Sequence, residues 1–127
     1  MCSSDLCGIA LRNPVLAASG TFGYGVEFER LADLNALGGL VVKGLSREPM
    51  DGNPPPRIWE AQAGMLNSIG LQNIGVRAFV RDKLPQLARV RTAVFANVFG
   101  YTTEDYVEVV RVLESAEGLA EIGRAHV

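Results

Sequence analysis

Leu40-Val41-Val42 is a run of apolar β-formers that begins after Gly38-Gly39 and stops at Lys43-Gly44. A run this short, bounded by turn residues, predicts a buried strand with a cation at its C-terminal tip. In parallel α/β folds the C-terminal tips of strands are where ligands sit. A lysine in that place also suits a strand that simply meets water. Two further loops tip the balance, because each is polar, marked by glycine and preceded by a strand-like run. They are Asn67-Ser68-Ile69-Gly70-Leu71-Gln72-Asn73 and Asn97-Val98-Phe99-Gly100.

The rest of the chain repeats that rhythm. Cys7 to Leu11 and Pro14 to Ala18 read as two short strands separated by an Asn-Pro turn, an N-terminal hairpin. A small-residue loop follows, Ser19-Gly20-Thr21-Phe22-Gly23-Tyr24-Gly25, which lets backbone approach a flat or phosphorylated ligand. It also suits a plain flexible loop, and it has neither phosphate-loop nor dinucleotide spacing. Phe28, Leu31, Leu34 and Leu37 predict a helix over 26–37, with Gly38-Gly39 as its C-cap. Strand, helix, strand implies a parallel sheet. Pro54-Pro55-Pro56 then forces extended backbone. Ile58 to Ala61 and Gly64 to Leu66 predict a hairpin, with the sole tryptophan, Trp59, as a packing residue. The carboxamides of Asn67 to Asn73 can read a planar imide edge, or merely stabilise a turn. Residues 76–90 are amphipathic, with Pro85 implying a kink. Ala93 to Val98 predicts the third parallel strand and ends in Asn97. Thr102 or Thr103 caps a helix to about Ala116, and Leu119-Ala120 opens a fourth strand.

Composition narrows the function classes. The 127 residues are 48% hydrophobic and 20% charged, with a net charge of −2. Slight acidity without a basic run argues against nucleic acid as partner. No stretch approaches the roughly 18 consecutive apolar residues of a membrane helix. Cys2 and Cys7 form neither a disulfide framework nor a metal-ligating spacing, so a reducing cytoplasm is expected and no metal site is. The ends stand apart. Residues 1–6 can be encoded by GTG-TGC-TCT-TCC-GAT-CT, and 121–126 by GAG-ATC-GGA-AGA-GCA-CAC, whose bases from the terminal AG of the Glu121 codon are the reverse complement. That string is a common sequencing adapter. Residues 1–6 and 121–127 are therefore expected to be scars, leaving 7–120 as the native part of a longer chain, without Cys2 or His126.

Several strand ends thus carry a polar or small group, and the βα order fits the first three units of an incomplete (β/α)₈ TIM barrel, a flavodoxin-like sheet being second. The segments Ala18-Ser19-Gly20-Thr21-Phe22-Gly23-Tyr24-Gly25, Val42-Lys43-Gly44, Gly52-Asn53-Pro54-Pro55-Pro56-Arg57 and Asn67 to Asn73 resemble the class 1 dihydroorotate dehydrogenases, most closely the class 1B catalytic subunit. The resemblance spans 8–120. It implies an FMN-dependent barrel that oxidises dihydroorotate to orotate in pyrimidine biosynthesis. By motif, Ser19, Lys43, Gly44 and Asn97 match FMN contacts. Lys43, Asn67, Ser68, Ile69, Gly70 and Leu71 match substrate contacts. The family's catalytic base is a cysteine beyond the fourth strand, which this chain does not reach, and Cys7 is no substitute. Class 1B also implies a second subunit with FAD and a 2Fe-2S cluster that passes electrons to NAD, and a homo-oligomer is expected at full length. A related FMN barrel acting on uracil-like rings, and a non-catalytic ligand-binding fragment, are the alternatives.

Overall fold

A computed structural model describes residues 4–124. Residues 1–3 and 125–127, including Cys2, His126 and parts of both expected scars, lie outside the described residues. The centre is a four-stranded parallel sheet of β3 (Leu16–Ala17), β4 (Gly39–Val41), β7 (Ala93–Val98) and β8 (Glu121–Arg124). Two hairpins flank it: β1 (Ser4–Leu6) with β2 (Ile9–Leu11), and β5 (Ile58–Ala61) with β6 (Gly64–Asn67).

Strand order in the sheet equals chain order, 3-4-7-8. A flavodoxin-like sheet reverses direction at a switch point, whereas a barrel winds one way. The observed order is that of consecutive barrel strands. Register divides the sheet into two faces, since residues paired in a parallel ladder point the same way. Ala17, Leu40, Val94, Ala96 and Ile122 face the hydrophobic core. Leu16, Gly39, Val41, Ala93, Phe95, Asn97 and Gly123 share the opposite face. That second face corresponds to the inside of a barrel, and Asn97 on it lies near the C-terminal end of β7.

Both helices lie on the first face. Val76, Phe79, Leu84 and Leu87 from one helix, and Val109 and Leu113 from the other, join the sheet residues in a single cluster. Helix α1 consists of Val76–Ala78, a wider π turn at Phe79–Lys83, and Leu84–Leu87. Pro85 explains the change of winding, because its ring clashes with an α-helical carbonyl four residues back and it has no N–H to donate. Helix α2 (Thr103–Glu114) starts at Thr102 in a capping box with Asp105. Each side chain accepts from the other residue's backbone N–H, which satisfies two of the helix's unpaired donors.

Five expectations change. Residues 26–37 form no α-helix but two 3₁₀ turns, Val26–Phe28 and Leu34–Ala36. A strict three-residue spacing matches the 3₁₀ period, and on an α-helix it drifts off any one face. Accordingly Leu31 is 81% exposed. Gly38 and Gly39 are not a helix cap. Their N–H groups donate to the Val15 carbonyl at 2.9 and 3.2 Å where β3 and β4 approach. Trp59 is no packing residue, being 70% exposed. The fourth strand begins at Glu121, two residues later than expected, after Ala120 N–H donates to the Val94 carbonyl at 2.7 Å. The N-terminal hairpin turns at Cys7-Gly8 rather than at Asn13-Pro14, and residues 16–17 join the parallel sheet instead.

Candidate functional site

Lys43 lies two residues beyond β4, and strand alternation carries it to the face of Val41 and Phe95. Its backbone N–H donates to the Gly23 carbonyl at 2.7 Å, which ties the small-residue loop to the tip of β4. Its half-buried side chain has no ion-pair or hydrogen-bond partner among the described residues. It lines a cleft of about 410 Å³ with Tyr24, Met50, Asp51, Gln72 and Asn73. Beside it, Asn97 donates from Nδ2 to the Ser19 hydroxyl at 3.0 Å. This bond spans the inner face from the loop after β3 to β7. It leaves the Asn97 carbonyl oxygen for an incoming donor. Gly44 adjoins them: a Cβ there would lie 3.2 Å from Phe99 and 3.7 Å from Asn97. Ser19, Gly44 and Asn97 therefore meet at the C-terminal end of the sheet, next to Lys43 in the chain, although none of the three lines the cleft that holds the Lys43 side chain.

The Asn67 to Leu71 loop is placed differently. Among these five residues, none lines the cleft that holds Lys43; the loop reaches it through Gln72, Asn73 and Ile74. Asn67 ends β6 opposite Ile58, with an exposed side chain that has no hydrogen-bond partner among the described residues. Ser68 N–H donates to the Arg57 carbonyl at 2.8 Å. The Asn53 carboxamide donates to the Ser68 carbonyl and hydroxyl at 2.9 and 3.0 Å, and Asn53 N–H to the Ile69 carbonyl at 2.9 Å. Gly70 (φ 77°) must be glycine, since a Cβ would also stand 2.7 Å from the Asn53 backbone nitrogen. Arg57 closes the loop by donating to Gln72 Oε1 at 2.7 Å and to the Asn53 carbonyl at 3.2 Å. The proline-rich segment thus serves as a brace for this loop.

Three of these framework residues carry no individual role in the sequence: Tyr24 and Arg57 appear there only within motifs, and Asn73 only among the carboxamides of its loop. Tyr24 is buried, and its hydroxyl accepts from Ile74 N–H at 3.1 Å. Burial raises its pKa and the nearby Glu27 adds to this, against the Ile74 hydrogen bond, so it stays a neutral phenol. Glu27 is itself held by Lys83 at 2.8 Å and by Tyr24 N–H at 3.0 Å. Desolvation resists its ionisation, but the Lys83 and backbone hydrogen bonds prevail and lower its pKa. Lys83 Nζ also sits 5.8 Å from the Tyr24 ring centroid. Among the described residues no group of metal-ligating side chains occurs, and no helix is long and apolar enough to cross a membrane.

Comparison with known proteins adds a family to this geometry. A profile of the family described as dihydroorotate dehydrogenase matches residues 1–123. One curated relative, "Putative dihydroorotate dehydrogenase A (fumarate)" of Solibacter usitatus, is 77% identical over 118 residues, 93% of this chain and 39% of its own. Another, the dihydroorotate dehydrogenase B (NAD(+)) catalytic subunit of Thermodesulfovibrio yellowstonii, is 55% identical over 87% of this chain and 37% of its own. The chain therefore spans about two fifths of the length of such relatives. A crystal structure of the Eimeria tenella enzyme in complex with ferulenol superposes with a TM-score of 0.70. It is 18% identical and covers 96% of this chain and 35% of that one, a likeness of fold.

Proposed function

The chain belongs to the dihydroorotate dehydrogenase family, and on that premise we propose that it forms part of the flavin and substrate site of an enzyme oxidising dihydroorotate to orotate in pyrimidine biosynthesis. The observation that carries this reading is that Ser19, Gly44 and Asn97 meet at the end of the parallel sheet where the adjoining Lys43 turns its side chain into a neighbouring cleft. The donor set suits the edge of an isoalloxazine ring, which alternates carbonyls with a ring N–H. Lys43 offers a cation unpaired among the described residues, Asn97 a carbonyl acceptor, and Gly20 a surface with no described atom within 4 Å of where a Cβ would stand. FMN bound there would supply a two-electron acceptor for the hydride leaving the dihydropyrimidine.

The chain's own residues act around that acceptor. Lys43, drawn out of bulk water beside the sheet end, places positive charge where negative charge accumulates as the hydride leaves. A preset cation needs no reorganisation at that moment. Ser19 fixes the Asn97 carboxamide so that its carbonyl oxygen meets a ring N–H in one orientation. Gly44 allows a flat ligand to approach backbone that a side chain would shield. Asn67 and the backbone of Ser68, Ile69, Gly70 and Leu71 are assigned to the amide edges and carboxylate of the substrate. The bracing of that loop by Asn53 and Arg57 supports the assignment, since a held loop loses little entropy on binding.

The catalytic base is assigned to a part of the full-length enzyme other than these residues. Electrons are proposed to leave through a partner subunit to NAD, as the name of the Thermodesulfovibrio relative suggests, with FAD and a 2Fe-2S cluster on that subunit as the class 1B resemblance implies. Fumarate is the second reading, favoured by the name of the 77% identical relative. Fumarate reduction by the isolated full-length enzyme would select the second; activity only with the partner subunit and NAD would select the first. The full-length protein is proposed to be a homo-oligomer. Residues 1–6 and 121–127 remain assigned to adapter sequence, and reading the source DNA across both ends tests that. The test of the site is Lys43→Ala in a full-length enzyme carrying this segment. Anaerobic single-turnover reduction of the flavin by dihydroorotate should slow at least about a hundredfold. An unchanged rate removes Lys43 from the site.

A further inference from the structure

The loop assigned to the substrate takes its shape from a residue outside the assigned contacts. Asn73 is 5% exposed and all its polar atoms are engaged. Its Oδ1 accepts from Gly75 N–H at 2.8 Å and from Ser46 N–H at 3.3 Å. The Ser46 hydroxyl lies 3.0 Å from the same oxygen and 2.6 Å from the Glu48 carbonyl, so its single proton serves one or the other. Its Nδ2 donates to the Leu71 carbonyl at 3.0 Å. Its backbone exchanges hydrogen bonds with Met50 at 2.9 and 3.0 Å.

These partners belong to the two segments that must meet for the site to work. Ser46 and Met50 follow Lys43 on the strand tip. Leu71 ends the substrate loop, and Gly75 precedes α1. Leu71 also has φ 56°, a left-handed conformation that a side chain with a Cβ rarely adopts without support. The Nδ2 bond to the Leu71 carbonyl is such a support, and it aims the peptide groups at 69–71. We propose that Asn73 is a positioning residue that fixes the substrate loop against the Lys43 strand tip through Leu71 and Ser46. The proposal rests on the assignment of that loop to the substrate.

The test uses a full-length enzyme carrying this segment and loaded with FMN. Asn73→Ala should raise the orotate dissociation constant, read from the flavin absorbance change, about tenfold, as expected when a buried hydrogen-bonded partner is lost. FMN content should stay stoichiometric, and amide hydrogen exchange should quicken within 67–73. An orotate constant within about twofold of the parent overturns the proposal, as does loss of FMN in parallel, which would mark general structural damage. If Asn73→Ala does not fold, Asn73→Asp decides, because it keeps the acceptor for Gly75 and Ser46 and removes the Nδ2 donor to the Leu71 carbonyl: about a threefold or greater weakening of orotate with full FMN supports the link, and unchanged orotate overturns it. Failure of the parent enzyme itself to bind orotate would instead overturn the functional reading.

Discussion

A Cβ at Gly38 would stand 1.8 Å from the carbonyl oxygen of Asn13, and backbone cannot swing aside as a side chain can. Glycine is required there for close approach rather than for an unusual φ. In the full-length enzyme Gly38→Ala should lower stability by about 2 kcal/mol or more, the range for forcing extra volume into packed structure. Gly64→Ala, where nothing lies within 4 Å, should stay within about 0.5 kcal/mol. Denaturant titration compares the two, and equal stabilities would refute the argument. The same contrast explains which site residues the sequence reveals. Lys43 and Asn97 stand out because a polar residue closing an apolar run is visible along the chain. Tyr24, Arg57 and Asn73 act through partners 50, 15 and 27 residues away. Their residue types alone are equally at home in a loop.

β4, β7, the β5–β6 hairpin and α2 are legible because their signals are local: short apolar runs bounded by turn residues, and a threonine followed by acidic residues. Residues 26–37 are misread because spacing by threes admits two helix types, and only packing chooses between them. What holds this segment is not its own helicity but its packing and ties to the rest of the chain: Leu34 is buried, its carbonyl accepts from the Thr92 hydroxyl at 2.6 Å, and Glu27 pairs with Lys83 on α1. Lys83 lies in the π turn before Pro85, so the local rewinding of α1 helps decide where its cation falls. The Glu27 carboxyl has a lowered pKa in the folded chain, opposed by desolvation and set by its hydrogen bonds. Its contribution to stability is therefore present above the ordinary glutamate pKa and disappears as pH falls through the lowered folded value. Glu27→Gln in the full-length enzyme should reduce stability near neutral pH and flatten the loss of stability below about pH 4.5. The effect should be modest, because both side chains are partly exposed to solvent. Chemical denaturation at several pH values measures it, and an unchanged pH slope would show that the tie contributes nothing.

The sheet as a whole has one face covered by helices and one that is only partly covered. Helices cover the side of Leu40, Val94 and Ala96, and that side holds the core. Leu16, Val41, Phe95 and Asn97 lie on the other, where a closed barrel would pack its remaining strands. A barrel of this kind takes about 250 residues to close, and this chain has 127. Within the described residues β3 and β8 are edge strands, each paired on one side only. Unpaired edges and an incompletely covered apolar face, on which Leu16 is 40% exposed while Phe95 is buried, are templates for association. The β5–β6 hairpin adds Ile58, Trp59, Met65 and Leu66, all exposed. The residues assigned to FMN also sit on the partly covered face, and barrels of this class commonly grip phosphate with loops after their last strands. Expressed as these 127 residues, the chain should be poorly soluble or molten, with near-ultraviolet circular dichroism lost and a hydrophobic dye bound. It should not retain one FMN per chain and should not oxidise dihydroorotate. Local structure should survive in part, because β4, β7 and α2 draw on signals within their own segments. Absorbance at the flavin bands after purification, together with a thermal unfolding curve, decides the matter: a soluble monomer that unfolds cooperatively and carries one FMN would mean that the helix-covered face alone supports both the fold and the cofactor.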